Sequence, residues 1–305
     1  MRLRSFIARL NAAAAFRGET RFAEPMAPHT TLRVGGPADL YVRPDKSCFA
    51  AYAPALLKAA AAKRIPVFIL GGGANIAVAD KGIRGIVLDT GACTGRVQEG
   101  GRLRFWAGTT MDEAAEEAAG RGLGGLEFLA GMPGTLGGGL WMNARCYGQE
   151  FADRAAEADI IDERFERVSV PLARSDFSYK KSPFQERRCL ILTITFRLKR
   201  RPIEDIRAEM AACRLDREQK GQFRFPSAGS AFKNNPAFGE PTGRIIEALG
   251  LRGLQIGGAQ IAPWHGNLLI NTGNALAADV KALIEKTAAE VKAARGIDLE
   301  SEILF

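Results

Sequence analysis

Residues 131–143 read Gly-Met-Pro-Gly-Thr-Leu-Gly-Gly-Gly-Leu-Trp-Met-Asn, a run with five glycines and no charged side chain. Such a run makes a poor surface loop, whereas glycine allows the backbone to come close to a large flat or phosphorylated ligand. Thr135 adds a hydroxyl donor within the same run. Tight packing between two layers of secondary structure is the alternative explanation for the glycines.

A second glycine run, Leu70-Gly-Gly-Gly-Ala-Asn75, directly follows the apolar segment Val67-Phe-Ile-Leu70. A strand that ends in such a loop points several backbone N–H groups outward, which suits a phosphate or pyrophosphate. The run is not a P-loop, because no Gly-Lys-Ser/Thr follows. It also lacks the third glycine of a dinucleotide fingerprint, with Ile76 in that place. A plain tight turn is the alternative.

Outward from these runs, hydrophobic periodicity predicts an α+β chain. Strands are expected at residues 39–43, 67–70, 83–88, 103–107, 158–162, 168–170, 189–198, 268–271 and 299–304. Helices are expected at 51–63, 203–220, 242–249 and 275–295, and a capping box at Thr110 opens one that Gly120 closes. Two α+β blocks followed by a third predict a cofactor region and a substrate lobe, divided as 1–90, 91–200 and 201–305.

The composition is that of a globular protein, with 47% hydrophobic and 25% charged residues among 305. Five scattered cysteines without a Cys-x-x-Cys pair indicate reduced thiols in a cytoplasmic protein. Only two histidines occur, so no metal site is expected. Since no apolar run approaches the roughly 20 residues that span a membrane, membrane insertion is not expected either.

The formal net charge is +8, but the basic residues are scattered rather than clustered with aromatics. This pattern disfavours nucleic-acid binding and fits a small anionic substrate. The Arg-rich start, Met1-Arg-Leu-Arg-Ser-Phe-Ile, has the composition of a transit peptide, but an amphipathic first helix is the favoured interpretation.

Seven segments, taken in order, carry a family resemblance. They are residues 31–38, 70–75, 125–138, 142–148, 177–184, 226–234 and 299–303. Among them are Phe177-Ser-Tyr-Lys-Lys-Ser-Pro-Phe184, Pro226-Ser-Ala-Gly-Ser-Ala-Phe-Lys-Asn234 and Leu299-Glu-Ser-Glu-Ile303. As an ordered set, the segments resemble the UDP-N-acetylenolpyruvoylglucosamine reductase (MurB) family from about residue 30 to the C-terminus.

The resemblance implies a two-subdomain FAD-binding region of the vanillyl-alcohol-oxidase/PCMH type and a C-terminal α+β substrate-binding domain. It implies FAD as cofactor and NADPH as co-substrate. The implied reaction reduces the enolpyruvyl ether of UDP-N-acetylglucosamine enolpyruvate to UDP-N-acetylmuramate, a step of peptidoglycan precursor synthesis. The short link between residues 179 and 230 resembles the compact type without the extra substrate loop. A monomer or weak oligomer is expected.

The resemblance also assigns roles to residues. Ser230 matches the family's proton donor, which must work within a relay because a free hydroxyl is a weak acid. Glu302 matches a carboxylic acid that donates to, or polarises, the substrate carboxylate, and Lys180 lies where charge is stabilised. Cofactor-binding residues are expected at Arg33, Gly35, Gly71, Gly72, Gly73, Ala74, Asn75, Gly131, Pro133, Gly134, Thr135, Gly137, Gly138 and Asn143. Substrate-binding residues are expected at Tyr147, Tyr179, Lys233 and Asn234.

Three departures from the family pattern leave alternatives open. Lys180 stands where the family has Arg, which keeps the charge but loses the bidentate fork, and Lys181 is a second candidate for the role. Ala74 replaces a Ser in the pyrophosphate loop. Arg145 replaces a Gly and either adds a cation near the site or points to solvent. Two rival functions therefore remain: a related flavoenzyme with another substrate, and a non-catalytic nucleotide-binding relative.

Overall fold

The computed structural model describes residues 3–97 and 102–305. In these two ranges the α-helices are α1 (Leu3–Ala13), α2 (Lys46–Ala62), α3 (Met111–Ala119), α4 (Leu136–Trp141), α5 (Ile203–Gln219), α6 (Thr242–Ala248) and α7 (Ala277–Arg295). Short 3-10 helices occur at Ala27–His29, Glu127–Leu129, Phe151–Asp153, Arg174–Asp176 and Pro236–Phe238.

The strands of the described residues are mostly short. They are β1 (Gly18–Pro25), β2 (Pro37–Pro44), β3 (Val67–Leu70), β4 (Ile83–Asp89), β5 (Arg96–Val97), β6 (Leu103–Trp106), β7 (Leu123–Gly124), β8 (Arg145–Cys146), β9 (Gln149–Glu150), β10 (Ala155–Ile161), β11 (Arg167–Pro171), β12 (Leu190–Phe196), β13 (Lys199–Arg200), β14 (Ser227–Ser230), β15 (Gln255–Ile256), β16 (Ala259–Ile261) and β17 (Leu268–Asn271).

The chain forms two compact units that interleave along the sequence. The first unit comprises residues 1–22, 40–72 and 84–215, and the second comprises 23–39, 73–83 and 216–305. The division into three domains at 1–90, 91–200 and 201–305 stays a prediction.

The first unit contains two main sheets. A four-stranded sheet has the order β1-β2-β4-β3, in which β3 and β4 run parallel. A five-stranded sheet has the order β11-β10-β12-β6-β5 with antiparallel neighbours. Helix α2 buries Phe49, Tyr52 and Leu56 in a core shared with Leu40 and Ile86, so it covers the face of the first sheet. Helices α3, α4 and α5 contribute to the core of the second sheet.

The second unit is built on the antiparallel sheet β14-β17-β16-β15. Helix α7 packs Val280, Leu283 and Val291 onto a core that contains Phe232 and Ile261 from the sheet side. Asp80 accepts hydrogen bonds from the first two backbone N–H groups of α7, at 2.8 and 3.0 Å. That carboxylate satisfies donors that a helix start leaves without internal partners.

Local sequence signals account for several element ends. The capping box of α3 is present: the Thr110 hydroxyl accepts from the Glu113 N–H, and the Glu113 carboxylate accepts from the Thr110 N–H. Gly120 ends that helix as predicted. Helix α7 ends at Gly296 in the left-handed conformation, with a φ of 68°, where glycine avoids a steric penalty.

The predicted strand at residues 299–304 is wrong. The segment makes only isolated bridges there, Ser301 to Phe232 and Leu304 to Ile76. It turns from one partner to the other, and the Ser301 hydroxyl donates to the Ile303 carbonyl within the turn. Apolar alternation predicted one continuous ladder, but the two partners come from different parts of the unit.

No helix among the described residues is long and apolar enough to cross a membrane.

Candidate active site

The structure distributes the predicted site residues over both units. The first unit holds Gly71, Gly72, Gly131, Pro133, Gly134, Thr135, Gly137, Gly138, Asn143, Tyr147, Tyr179 and Lys180. The second holds Arg33, Gly35, Gly73, Ala74, Asn75, Ser230, Lys233, Asn234 and Glu302.

In the first unit, the two glycine runs meet backbone to backbone. A Cβ atom added at Gly72 would lie 2.6 Å from the Gly134 Cα, and one added at Gly71 would lie 2.6 Å from the Thr135 Oγ1. Real Cβ atoms do not approach other atoms so closely, so only glycine allows the two loops to touch. Runs that are about 60 residues apart in sequence therefore form one cradle with a backbone surface.

Not every glycine in the second run serves that cradle. The run forms helix α4, in which Thr135 is the N-cap and its hydroxyl accepts from the Gly138 N–H at 3.5 Å. A Cβ at Gly139 would lie 2.5 Å from the Phe151 ring, and one at Gly137 would lie 2.9 Å from the Ala107 Cβ. At these two positions the alternative explanation, tight packing, accounts for the glycine. Gly138 is exposed and has room for a Cβ.

Lys180 lies in a two-residue turn. Ser178 and Lys181 exchange backbone hydrogen bonds of 3.2 and 3.0 Å, and Tyr179 and Lys180 form the tip between them. Lys180 has a φ of 58°, a left-handed conformation that costs free energy for a residue with a Cβ. Its side chain is half-buried, whereas Lys181 is exposed.

Side-chain amides hold this turn in place. Asn143 is fully buried; its Nδ2 donates to the Ser178 carbonyl at 2.9 Å, and its Oδ1 accepts from the Ala152 N–H at 3.1 Å. Gln185 Nε2 lies 3.0 Å from the Lys180 carbonyl and 2.9 Å from the Trp141 carbonyl at the end of α4. The turn is thus linked to the glycine-rich helix through side-chain amides.

Tyr147 lies at the tip of a second tight turn. Strands β8 and β9 pair with Arg145 opposite Glu150 and Cys146 opposite Gln149. Tyr147 and Gly148 connect them with φ values of 51° and 76°, as in a type I′ hairpin. The Tyr147 hydroxyl donates to the Cys213 carbonyl at 3.1 Å, which anchors the hairpin to α5.

In the second unit, Ser230 ends strand β14 just after a bulge. Ser227 pairs with Ile270 and Ser230 with Leu268, so the two residues between them on β14 face one residue on β17. Gly229 occupies the bulge with a φ of 82°, and its N–H donates to the Ser227 hydroxyl at 3.0 Å. Such a bulge redirects the following side chain, here the half-buried Ser230.

Glu302 is brought next to Ser230 by backbone pairing. The Glu302 N–H donates to the carbonyl of Ala231 at 2.9 Å, and the Glu302 carbonyl accepts from Asn75 Nδ2 at 2.9 Å. Three predicted site residues from distant parts of the chain, Asn75, Ser230 and Glu302, therefore lie in one cluster. Glu302 is half-buried.

Lys233 and Asn234 continue the same segment. The Lys233 N–H donates to the Glu300 carbonyl at 2.9 Å, and its ammonium group forms an ion pair with the Glu300 carboxylate. Asn234 Oδ1 accepts from the Thr242 N–H at 3.0 Å, which helps to start helix α6.

The remaining predicted site residues of the second unit are Arg33, Gly35, Gly73 and Ala74. Gly73 has a φ of 59°, and a Cβ there would lie 2.1 Å from the His29 carbonyl oxygen. A Cβ at Gly35 would lie 2.8 Å from the Val78 Cβ, so the packing of Val78 is by itself enough to require glycine at that position. Arg33 is exposed, with a φ of 54°, and Ala74 lies between Gly73 and Asn75.

Sequence reasoning missed Asn267, which supports the Ser230 cluster. Asn267 is buried, and its side chain bonds both backbone groups of Phe232, at 2.9 and 2.8 Å. Its carbonyl accepts from the Ala231 N–H, and its own N–H donates to His265 Nδ1 at 3.1 Å. Burial lowers the pKa of His265, which favours the neutral imidazole that accepts this bond. The buried bonds of Asn267 depend on Phe232, which lies 35 residues away, so no local pattern in the sequence singles this residue out.

Comparisons with known proteins agree with this arrangement. Residues 220–305 match the C-terminal domain of UDP-N-acetylenolpyruvoylglucosamine reductase, and residues 50–168 match an FAD-binding domain. UDP-N-acetylenolpyruvoylglucosamine reductase from Treponema pallidum is 40% identical over 94% of this chain and 93% of its own length. The protein of that name from Phenylobacterium zucineum is 41% identical over 95% of each chain.

A solved structure supports the same relationship. The crystal structure of UDP-N-acetylenolpyruvylglucosamine reductase from Thermus caldophilus superposes with a TM-score of 0.76 at 32% identity, covering 94% of this chain and 98% of that one. The predicted fold class, an α+β chain with an FAD-binding region of the vanillyl-alcohol-oxidase/PCMH type and a C-terminal α+β domain, is confirmed. The chain therefore belongs to the UDP-N-acetylenolpyruvoylglucosamine reductase family.

Proposed function

We propose that this chain is a flavin-dependent reductase that converts UDP-N-acetylglucosamine enolpyruvate to UDP-N-acetylmuramate, with NADPH as the source of electrons. Membership of the family carries the reaction and the use of FAD. The observation that supports the proposal at the residue level is the backbone hydrogen bond from Glu302 to Ala231, which brings the Glu302 backbone to the residue that follows Ser230.

The first unit fits FAD at its glycine cradle. Gly71 and Gly72 pack against Gly134 and Thr135 so closely that a Cβ would collide with the opposing loop. The surface that remains is backbone, which can approach a pyrophosphate or a flat ring system. Residues proposed to hold FAD are Arg33, Gly35, Gly71, Gly72, Gly73, Ala74, Asn75, Gly131, Pro133, Gly134, Thr135, Gly137, Gly138 and Asn143.

The chain's own residues supply positioning, charge and a proton. When bound, FAD would supply the hydride for reduction of the substrate's vinyl group. Negative charge then develops on the pyruvyl carboxylate side, where we assign the stabilising cation to Lys180. The neighbouring carbon takes a proton, which we assign to the Ser230 hydroxyl within a relay, so that the double bond becomes a single bond. Glu302 is assigned to the substrate carboxylate.

Substrate binding is assigned to Tyr147, Tyr179, Lys233 and Asn234. The half-buried Lys233 suits an anionic group, and such a group would compete with Glu300 for its ammonium. As family members act on this substrate in peptidoglycan precursor synthesis, we propose roles in cell shape and division. The five free thiols support a cytoplasmic location, and a monomer or weak oligomer is proposed.

Anaerobic half-reactions test the function. The purified protein should carry a yellow flavin, NADPH should bleach it, and UDP-N-acetylglucosamine enolpyruvate should restore the colour. Faster reoxidation by oxygen or another acceptor would favour a flavoenzyme with a different substrate. Bound flavin without any turnover would show a non-catalytic relative.

The Ser230→Ala variant tests the residue assignment. Bleaching by NADPH should keep its rate, whereas reoxidation by the substrate should slow by about 100-fold or more, as expected for loss of a general acid. Ser47→Ala is the control, because it removes a hydroxyl from an exposed serine of helix α2 that has no assigned role in the site. Equal slowing in both variants would contradict the role of Ser230.

A further inference from the structure

Arg145 is the one charged residue of the β8–β9 hairpin strands that is exposed. It lies opposite Glu150 in the hairpin register. Glu150 is buried and forms an ion pair with Arg174, so its carboxylate is already engaged away from Arg145. The hairpin itself is held by the Tyr147 hydroxyl on the Cys213 carbonyl, which gives the Arg145 backbone a defined position.

The Arg145 guanidinium lies over the ring of Tyr179. Its carbon is 5.6 Å from the ring centroid, within the roughly 6 Å of a cation–π contact. Tyr179 forms the tip of its turn together with Lys180. The hairpin and this turn lie more than 30 residues apart in sequence, and the contact brings the Arg145 guanidinium to the turn whose tip contains Lys180.

The two cations differ in what they can bind. A lysine ammonium is a point charge, whereas the planar guanidinium donates two parallel hydrogen bonds to a carboxylate. Stacking on Tyr179 restricts the guanidinium, so less side-chain entropy is lost when it binds an anion. Lys180 lacks the two parallel donors of an arginine. A residue that replaces those donors needs a guanidinium group that is held in a defined position.

Resting on the function proposed above, we propose that Arg145 binds the pyruvyl carboxylate of the substrate bidentately and shares with Lys180 the stabilisation of charge that develops there. Arg145 is then a substrate-contacting residue, and the exchange of Arg for Lys at position 180 is offset by a guanidinium from the hairpin. The alternative in which Arg145 only points to solvent predicts no effect on substrate reduction.

The test uses the holoenzyme and separates the two half-reactions by stopped flow. In Arg145→Gln, bleaching by NADPH should keep its rate, and reoxidation by UDP-N-acetylglucosamine enolpyruvate should slow by about 10- to 100-fold, the range for one charged hydrogen bond. Arg145→Lys should recover only part of the loss, because the charge returns without the fork. Adding Lys180→Arg to Arg145→Gln should restore reoxidation at least about tenfold.

Arg164→Gln is the matched control, because it removes the same charge from an exposed turn between β10 and β11. Its reoxidation rate should equal that of the unchanged protein. The proposal is overturned if Arg145→Gln reoxidises at the wild-type rate, if it slows both half-reactions equally, or if Lys180→Arg gives no recovery. A wild-type protein that the substrate does not reoxidise would instead contradict the proposed function itself.

Discussion

At the scale of single residues, Lys180 is the residue to which we assign the stabilisation of charge. It is half-buried, adopts a strained φ of 58° and is held through Gln185 and the Ser178 carbonyl. Strain of this kind persists only where surrounding contacts determine the conformation, and it concentrates at functional sites. Its neighbour Lys181 has the same charge but is exposed, so the two lysines are a natural pair for comparison.

We expect Lys180→Met to slow reoxidation by the enolpyruvyl substrate about 10- to 100-fold, because a charged hydrogen bond to the developing anion is lost. Bleaching by NADPH should be unaffected. Lys181→Met should leave both half-reactions unchanged, since its ammonium lies in solvent. Single-turnover kinetics measure both rates, and a larger loss in Lys181→Met would transfer the role to that residue.

At the scale of elements, the contact between the two glycine runs and the small helix α4 matters most. Gly72 can contact Gly134 only because it has no Cβ. Gly138, in contrast, is exposed, and a Cβ added there would lie 3.6 Å from its nearest neighbour, the Thr135 Oγ1. Substitutions at Gly72 and Gly138 therefore distinguish a glycine that packing within the protein requires from a glycine that leaves room for a ligand.

Gly72→Ala should destabilise the protein by about 1–3 kcal/mol, as overpacking does, and reduce bound flavin as well. Gly138→Ala should fold at least as well as the wild type, because alanine is favoured over glycine in a helix by about 0.5–1 kcal/mol. If FAD approaches the backbone at Gly138, flavin content should nevertheless fall. Thermal unfolding and flavin absorbance of the two variants measure both effects, and full flavin retention in Gly138→Ala would remove that residue from the cofactor site.

The loop between β16 and β17 should make stability depend on pH. Burial lowers the pKa of His265 below its usual value, so the unfolded chain binds this proton more readily than the folded one. The stabilising contribution is therefore complete above about pH 6.5 and is lost as the pH falls toward the folded-state pKa. In His265→Asn, the denaturant concentration at the midpoint of unfolding should change less with pH in this range. An unchanged dependence on pH would show that other groups cause it.

At the scale of the whole molecule, the net charge of +8 acts on the encounter with ligands. Both the nucleotide-sugar substrate and NADPH are anions, so a positive protein should attract them before contact. This long-range effect is distinct from the local bonds at Lys180 and Lys233, because salt screens it.

We expect kcat/KM for the enolpyruvyl substrate, at saturating NADPH, to fall several-fold between about 0.01 and 0.15 M salt, as the Debye length shrinks from about 30 to 8 Å. The value of kcat should stay constant, because it reports steps after binding. Steady-state kinetics across this range provide the measurement, and a kcat/KM independent of salt would exclude steering.

Sequence alone determined what depends on short stretches of chain. Helix α3 follows from its capping box, strands β3 and β4 from their apolar runs, and the family from seven ordered motifs that contain Ser230, Glu302 and Lys180. These features depend on neighbours within a few residues, which the printed order of residues shows directly.

Only the tertiary structure decided which of these residues meet. Asn75 bonds Glu302 across 227 positions. Asn267 and Gln185 donate to the carbonyls of Phe232 and Trp141, which lie 35 and 44 positions away, and Arg145 contacts the ring of Tyr179. The segment 299–304 failed to form a strand for the same reason, since its two partners come from separate parts of the unit. Periodicity records which face of a segment is apolar, whereas pairing over long distances is decided by the packing of segments that interleave in the chain.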